Sequence, residues 1–377
     1  MEMDPISAAL KAADADAFVM YANSRDADMR YLTRFTTSDA FVFFQKPDEQ
    51  GVIIVSQMET TRASRESPAV VMTRTQAGLP EILKTEKDPL RATAKMIAGT
   101  VGKKILVPSQ FPIGLAEALR EHCTIIVDNG SVPGMRAIKT RTEIQTIKRI
   151  QQLTDKAMGL AISLIASASV KKGILSFKGI PLTSEQVKFV MHRFLLEHGC
   201  SAVDTIVSCG KDTAIPHMTG NGPLMADEPI IIDIFPVEEK TGYCADMTRT
   251  IVKGEPSPDI RDMFTTLRDA KHLALQKTKA GVSGATLYSD VVDYFADHGY
   301  ESNTRGFVHN LGHGVGLQVH ELPTVGPSGG ALEAGNVITI EPGLYYPGIG
   351  GVRLEDMGAV TRTGFSNFTK HPEDLVV

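Results

Sequence analysis

Apolar, β-rich runs broken by a single acid constrain this chain more than any other feature. IIIDIF (residues 230–235) and VITIEPG (337–343) have the length and branching of buried strands, yet each carries a carboxylate, Asp233 or Glu341. An acid on a buried strand must be paired, protonated or bound to a cation, because an isolated charge taken out of water is strongly disfavoured. Three further candidates lie beside turn signals: Asp246 in GYCADMTRTIVKG, His313 in FVHNLGHGVGLQVHE and Glu355 in GIGGVRLEDMG. Four acids and one imidazole suit two divalent cations, since carboxylates bridge hard ions and a histidine caps one of them.

The local patterns predict how these residues meet. Glu238, Glu239, Lys240 and Gly242 form a polar hairpin tip, so the following strand should bring Asp246 back opposite Asp233. Glycines 312, 314 and 316 interleave with His309, His313 and His320 and allow the backbone to approach an ion or substrate closely. Arg353 precedes Glu355 by two residues, on the same strand face, and is predicted to orient an acidic group. His217, alone in a loop rich in Gly and Pro, gains interest only from the others. Tyr21, residues 23–28 and Tyr31 read as a solvated turn and helix start.

From residue 16 to about 129, six short β runs (17–22, 41–45, 51–56, 70–75, 104–109 and 124–128) alternate with helical stretches such as 89–99 and 114–122, an α/β rhythm. Gly130, Pro133 and Gly134 are expected to end this unit, giving a first domain over 1–135 and a second over 140–377. The second should open with a long amphipathic helix capped near Thr142, with a buried stretch over 158–170. A helix capped by Thr183 or Ser184 follows, then a strand pair, helices over 258–280 and 285–299, and a second strand pair. No sequence repeat is visible, but that order is what a duplicated half-domain would give.

Composition removes several function classes. At 42% hydrophobic, 22% charged and a net charge of −5, the 377-residue chain offers no whole-molecule attraction for nucleic acid or anionic lipid. No stretch reads as membrane-spanning, and Met1 to Asp4 lack the basic start of a secretion signal, so a cytoplasmic location is expected. Cys123, Cys200, Cys209 and Cys244 lack CxxC spacing and are read as small core residues.

The ordered set of Asp233, ADMTRT with Asp246, HNLGHGVG with His313, IEPG with Glu341 and VRLED with Glu355 resembles the pita-bread-fold metallopeptidases. Residues 1–135 resemble the creatinase-like α/β domain that precedes the catalytic domain in prolidases, Xaa-Pro aminopeptidases and creatinase. The resemblance implies an α+β catalytic domain with a pseudo-symmetric antiparallel sheet. It further implies Asp233 on one metal, Asp246 and Glu355 bridging two, and His313 with Glu341 completing the other. Glu341, His320 and His217 would be the catalytic residues, with His309, Tyr345 and Arg353 facing substrate or supporting the ligands.

The implied activity is hydrolysis of Xaa-Pro bonds at peptide N-termini with two divalent ions of Mn, Co, Zn or Fe, in a cytoplasmic homodimer. Xaa-Pro dipeptidase is the alternative. A metal-free amidinohydrolase of the creatinase type and a non-catalytic binding protein are disfavoured by the intact ligand set. Two departures stand out: the spacing from Asp233 to Asp246 is two residues longer than usual, and DIFP replaces the common DxG.

Overall fold

The computed structural model describes residues 4–377 and divides into two compact units, with the break between Arg136 and Ala137. Residues 1–3, part of the segment read for a secretion signal, lie outside the described residues.

The first unit is built on one six-stranded mixed sheet with the strands in the order 70–73, 52–55, 41–45, 17–22, 104–107 and 124–127. Strand alternation splits its apolar residues between two cores. Ala17, Val19, Val42 and Phe44 face Ile97 and Leu115 from the helices Pro89–Val101 and Ile113–Arg120. Phe18, Met20, Phe41 and Phe43 face Ile6, Leu10, Met29 and Ala63 from the helices before and between the strands. Residues 23–28 are the expected turn and helix start: Asn23 Oδ1 accepts from the amide of Arg25, and Asp26 caps the helix Ala27–Thr33.

The stretch read as a terminator is instead helical over Ser131–Ala137. Pro133 sits in its first turn, where a missing N–H costs nothing. Buried Arg136 at its end donates to Asp28 Oδ1 at 2.6 Å.

The second unit opens with the 26-residue helix Arg141–Ala166, capped by Thr140 rather than Thr142, with Glu143 completing the capping box. This helix stops at Ala166, and Ser169–Lys171 is an exposed strand, so the predicted buried stretch ends earlier than expected. Thr183 caps Ser184–Glu197. Together these helices cover a three-stranded antiparallel sheet in the order 206–209, 229–234, 247–252.

The pattern then recurs. Helices Pro258–Lys277 and Gly284–Asp297 cover a five-stranded antiparallel sheet in the order 321–325, 312–314, 337–340, 356–360, 365–367. The four cysteines carry no disulfide, and among the described residues no helix is long and apolar enough to cross a membrane.

Arg249, 2% exposed, ties the two sheets together. Its guanidinium donates to the carbonyls of Thr248, Glu355, His371 and Pro372 and to Asp356 Oδ1. Asp356 also receives Lys271 at 3.0 Å, and Lys271 reaches Glu373 at 2.6 Å. Arg249→Ala should destabilise the protein by about 3–5 kcal/mol, because it leaves four carbonyls without this donor and takes from Asp356 one of its two cations. Urea unfolding followed by circular dichroism reads this as a lowered midpoint, and an unchanged midpoint would contradict it.

Candidate metal centre

The two hairpin-like halves of the second unit each present two acids by the same device. In the first, Asp233 lies on the strand Pro229–Ile234 and Asp246 immediately precedes Met247–Val252. In the second, Glu341 immediately follows Val337–Ile340 and Glu355 immediately precedes Asp356–Val360. An acid at a strand end keeps the ladder intact while its carboxylate leaves the apolar face.

The register corrects one expectation. Asp233 pairs with Thr248 and with Ile206, so Asp246 is not opposite it. The antiparallel register continues through the bridge Val237–Cys244, with the amide of Ala245 donating to the carbonyl of Pro236, which makes Phe235 the neighbour of Asp246. Asp246 still shares a face with Thr248, two residues on.

His313 occupies the middle of the strand Gly312–Gly314. A Cβ at Gly314 would lie 2.1 Å from the carbonyl oxygen of Leu322, so only glycine allows the strands to close here. Nδ1 of His313 bonds to the carbonyl of Gly314, so Nε2 faces the acids, 3.0 Å from Glu341 Oε1 and 3.8 Å from Asp246 Oδ2.

Nine of the ten predicted site residues line one cavity of about 720 Å³. Buried Tyr345 is the exception and lies behind the wall. Its hydroxyl accepts from Arg353 at 2.8 Å and meets Nε2 of His309 at 3.0 Å, while His309 Nδ1 donates to the carbonyl of Asn310. Arg353 does orient an acid, but that acid is Asp233, reached at 2.7 Å, and no bond runs from it to Glu355. It also pins the His217 loop by donating to the carbonyl of Pro216. His217 and His320 are exposed at the cavity, the ring of His320 4.2 Å from that of His313.

Sequence reasoning missed Thr248 and Thr339. Thr248 Oγ1 donates to Glu355 Oε2 at 2.9 Å and accepts from Nε of Arg353; Thr339 Oγ1 donates to Glu341 Oε1. The alternation in ADMTRT, which places Thr248 on the face of Asp246, was the available signal.

The electrostatics call for added positive charge. Burial, with Asp233 beside it, pushes the Asp246 carboxyl well above the usual range, and burial with Asp246 beside it does the same for Glu355. Burial also opposes ionisation of Glu341 and His313, but their mutual bond overrides it, holding Glu341 down to about 2 and raising His313 to about 9. Asp233 Oδ1 and Glu355 Oε1 are buried with no hydrogen-bond partner among the described residues. Ligand atoms of Asp246, His313 and Glu355 lie within 4.8 Å of one another. Hard oxygen donors with one imidazole, two of the oxygens unsatisfied, fit divalent cations.

Two family models cover almost the whole chain: Creatinase/Prolidase N-terminal domain over residues 3–138 and Metallopeptidase family M24 over 145–362. The chain belongs to metallopeptidase family M24. It is therefore a hydrolase of the metal-dependent class, with a creatinase-type first domain and a pita-bread catalytic domain. It is 32% identical over 280 residues to a Xaa-Pro dipeptidase of Pyrococcus horikoshii, spanning 73% of this chain and 75% of that one. A solved Xaa-Pro dipeptidase from Bacillus anthracis superposes with a TM-score of 0.84 at 26% identity, covering 99% of this chain and 98% of the other. A prolidase structure from Pyrococcus horikoshii gives 0.83 at 26%, covering 98% of each.

In this M24 peptidase Thr248→Val keeps the side-chain shape but removes the bonds to Glu355 and Arg353. Affinity for Mn²⁺ or Co²⁺ should fall by about 10- to 100-fold, the usual cost of losing a group that orients a ligand. Isothermal titration of the two proteins measures it, and equal affinities would exclude the role.

Proposed function

We propose that this protein is a prolidase: it hydrolyses Xaa-Pro dipeptides using two divalent cations held by Asp233, Asp246, His313, Glu341 and Glu355. The observation that carries this is the convergence of four acids and His313 on one cavity, two of their buried oxygens lacking partners. Both named activities, aminopeptidase and dipeptidase, act on Xaa-Pro bonds, and the dipeptidases among the relatives favour the second.

Divalent cations bound there would supply Lewis acidity toward the scissile carbonyl and lower the pKa of water from about 15.7 toward about 7. The protein's own groups handle the rest. Thr339 donates to Oε1 of Glu341 and fixes its carboxylate, which would take a proton from the attacking water. That proton passes to the proline nitrogen as the C–N bond breaks, so the products are a carboxylate and a secondary amine. His320 and His217, exposed at the same cavity, would donate to the oxygen that gains charge. Partial loss of hydration at the cavity wall, with His313 beside it, lowers the pKa of His320. The bond cleaved has no N–H, so the cavity needs no acceptor for one.

The decisive assay compares Ala-Pro with Ala-Ala and Ala-Pro-Ala at equal concentration. Ala-Pro should have the highest kcat/KM, and a chelator should abolish turnover until a divalent ion is restored. Equal rates on Ala-Pro and Ala-Ala would reject the proline assignment. Preference for Ala-Pro-Ala would return the aminopeptidase reading. Light scattering tests a homodimer, the assembly that the family resemblance suggests, and cell fractionation tests the cytoplasmic placement.

His320→Ala should keep its metal content yet lose about 100-fold or more in kcat, the typical cost of one lost donor to a developing charge. Metal loss in this variant would instead place His320 among the ligands.

A further inference from the structure

The cavity lining is polar except at Ile206, Pro216, Phe235 and Val319. Phe235 stands out because of its register. The amide of Ala245 donates to the carbonyl of Pro236 and that of Glu238 to the carbonyl of Tyr243, and the ladder before them ends at Ile234 opposite Met247, so by alternation Phe235 and Asp246 form the non-hydrogen-bonded pair between 234/247 and 236/245. In such pairs the Cα atoms approach to about 4.5 Å and the side chains are closest. The half-buried ring of Phe235 and the Asp246 carboxylate thus share one cross-strand position and line the same cavity. Ile206, the cross-strand neighbour of Asp233, extends the apolar surface diagonally from it.

The second half shows what this position can otherwise hold. There the pairing Ile340–Asp356, continued by one residue, sets Glu341 opposite Glu355. Phe235 is thus the counterpart of Glu341: where one half presents a proton-handling carboxylate, the other presents a phenyl ring. Under the proposed reaction the proline nitrogen leaves by the Glu341 end, so the residue before the bond lies toward the Phe235 end. The ring also falls in DIFP, where the family resemblance leads one to expect a glycine.

Resting on the prolidase reading, we propose that Ile206 and Phe235 form the subsite for the Xaa side chain, and that the Phe235 ring limits its size. The wild-type protein then favours small apolar residues before proline. The sequence carries this limit in a single side chain.

The test assays Phe235→Ala, Phe235→Leu and Phe235→Trp beside the wild type on Gly-Pro, Ala-Pro, Leu-Pro and Phe-Pro, with metal content measured for each. Phe235→Ala should raise the kcat/KM ratio of Phe-Pro to Ala-Pro by about tenfold or more, the scale of discrimination by pocket size. Phe235→Leu should raise it less, Phe235→Trp should lower it, and bound metal should stay at the wild-type level. Unchanged ratios across all three variants would overturn the proposal. So would a change confined to Ala-Pro against Ala-Ala, which would set the ring against proline. If Phe235→Ala loses metal, the opposed shifts of the leucine and tryptophan variants still decide. Should the wild type show no proline preference, the prolidase reading falls, while the ratio of Phe-Ala to Ala-Ala in the same variants continues to test Phe235.

Discussion

Repulsion among buried carboxylates governs the second unit. Asp233, Asp246, Glu341 and Glu355 converge on one cavity where the facing protein cations are Arg353 and His313. Two positive groups do not balance four negative ones, and the imbalance falls on Asp246 and Glu355, whose carboxyls resist ionisation through burial and mutual charge. Everything nearby makes this arrangement tolerable. Threonines donate to the acids, Arg353 spans Asp233 and Tyr345, and Arg249 and Lys271 hold neighbouring Asp356 behind the sheets.

The ligand-like residues were legible because their disruption is local. A carboxylate inside IIIDIF contradicts the strand around it, and glycine on both sides of His313 has no purpose in an ordinary strand. The strands of the first unit were equally readable from their β-branched and aromatic runs. Long-range pairing was not. A polar tip announces a hairpin, but its register depends on how the strands settle on the core, so the neighbour of Asp246 is Phe235 rather than Asp233. Arg353 shows the same limit: strand alternation places it beside Glu355, whereas the tertiary fold brings it to Asp233 across 120 residues of sequence.

Helix signals were ambiguous where two readings of one residue compete. Pro133 and Gly134 are strong turn formers, yet proline also suits the first turn of a helix, and Ser131–Ala137 takes that course. Thr140 and Thr142 both stand near the start of the long helix; Glu143 decides between them by reaching back to Thr140. Thr248 and Thr339 escaped notice because a threonine in a strand needs no explanation until its partner is seen.

Glu355 from the second half receives Thr248 from the first, and Arg353 from the second grips Asp233 of the first. The acid cluster is thus also the seam along which the two halves join. A cation held across that seam would work as a keystone, and if it binds the folded form alone each tenfold rise in its concentration above the dissociation constant would add about 1.4 kcal/mol to stability. Metal supply would then set not only how fast each molecule works but how many survive proteolysis, so a cell short of the ion loses the protein itself along with its activity.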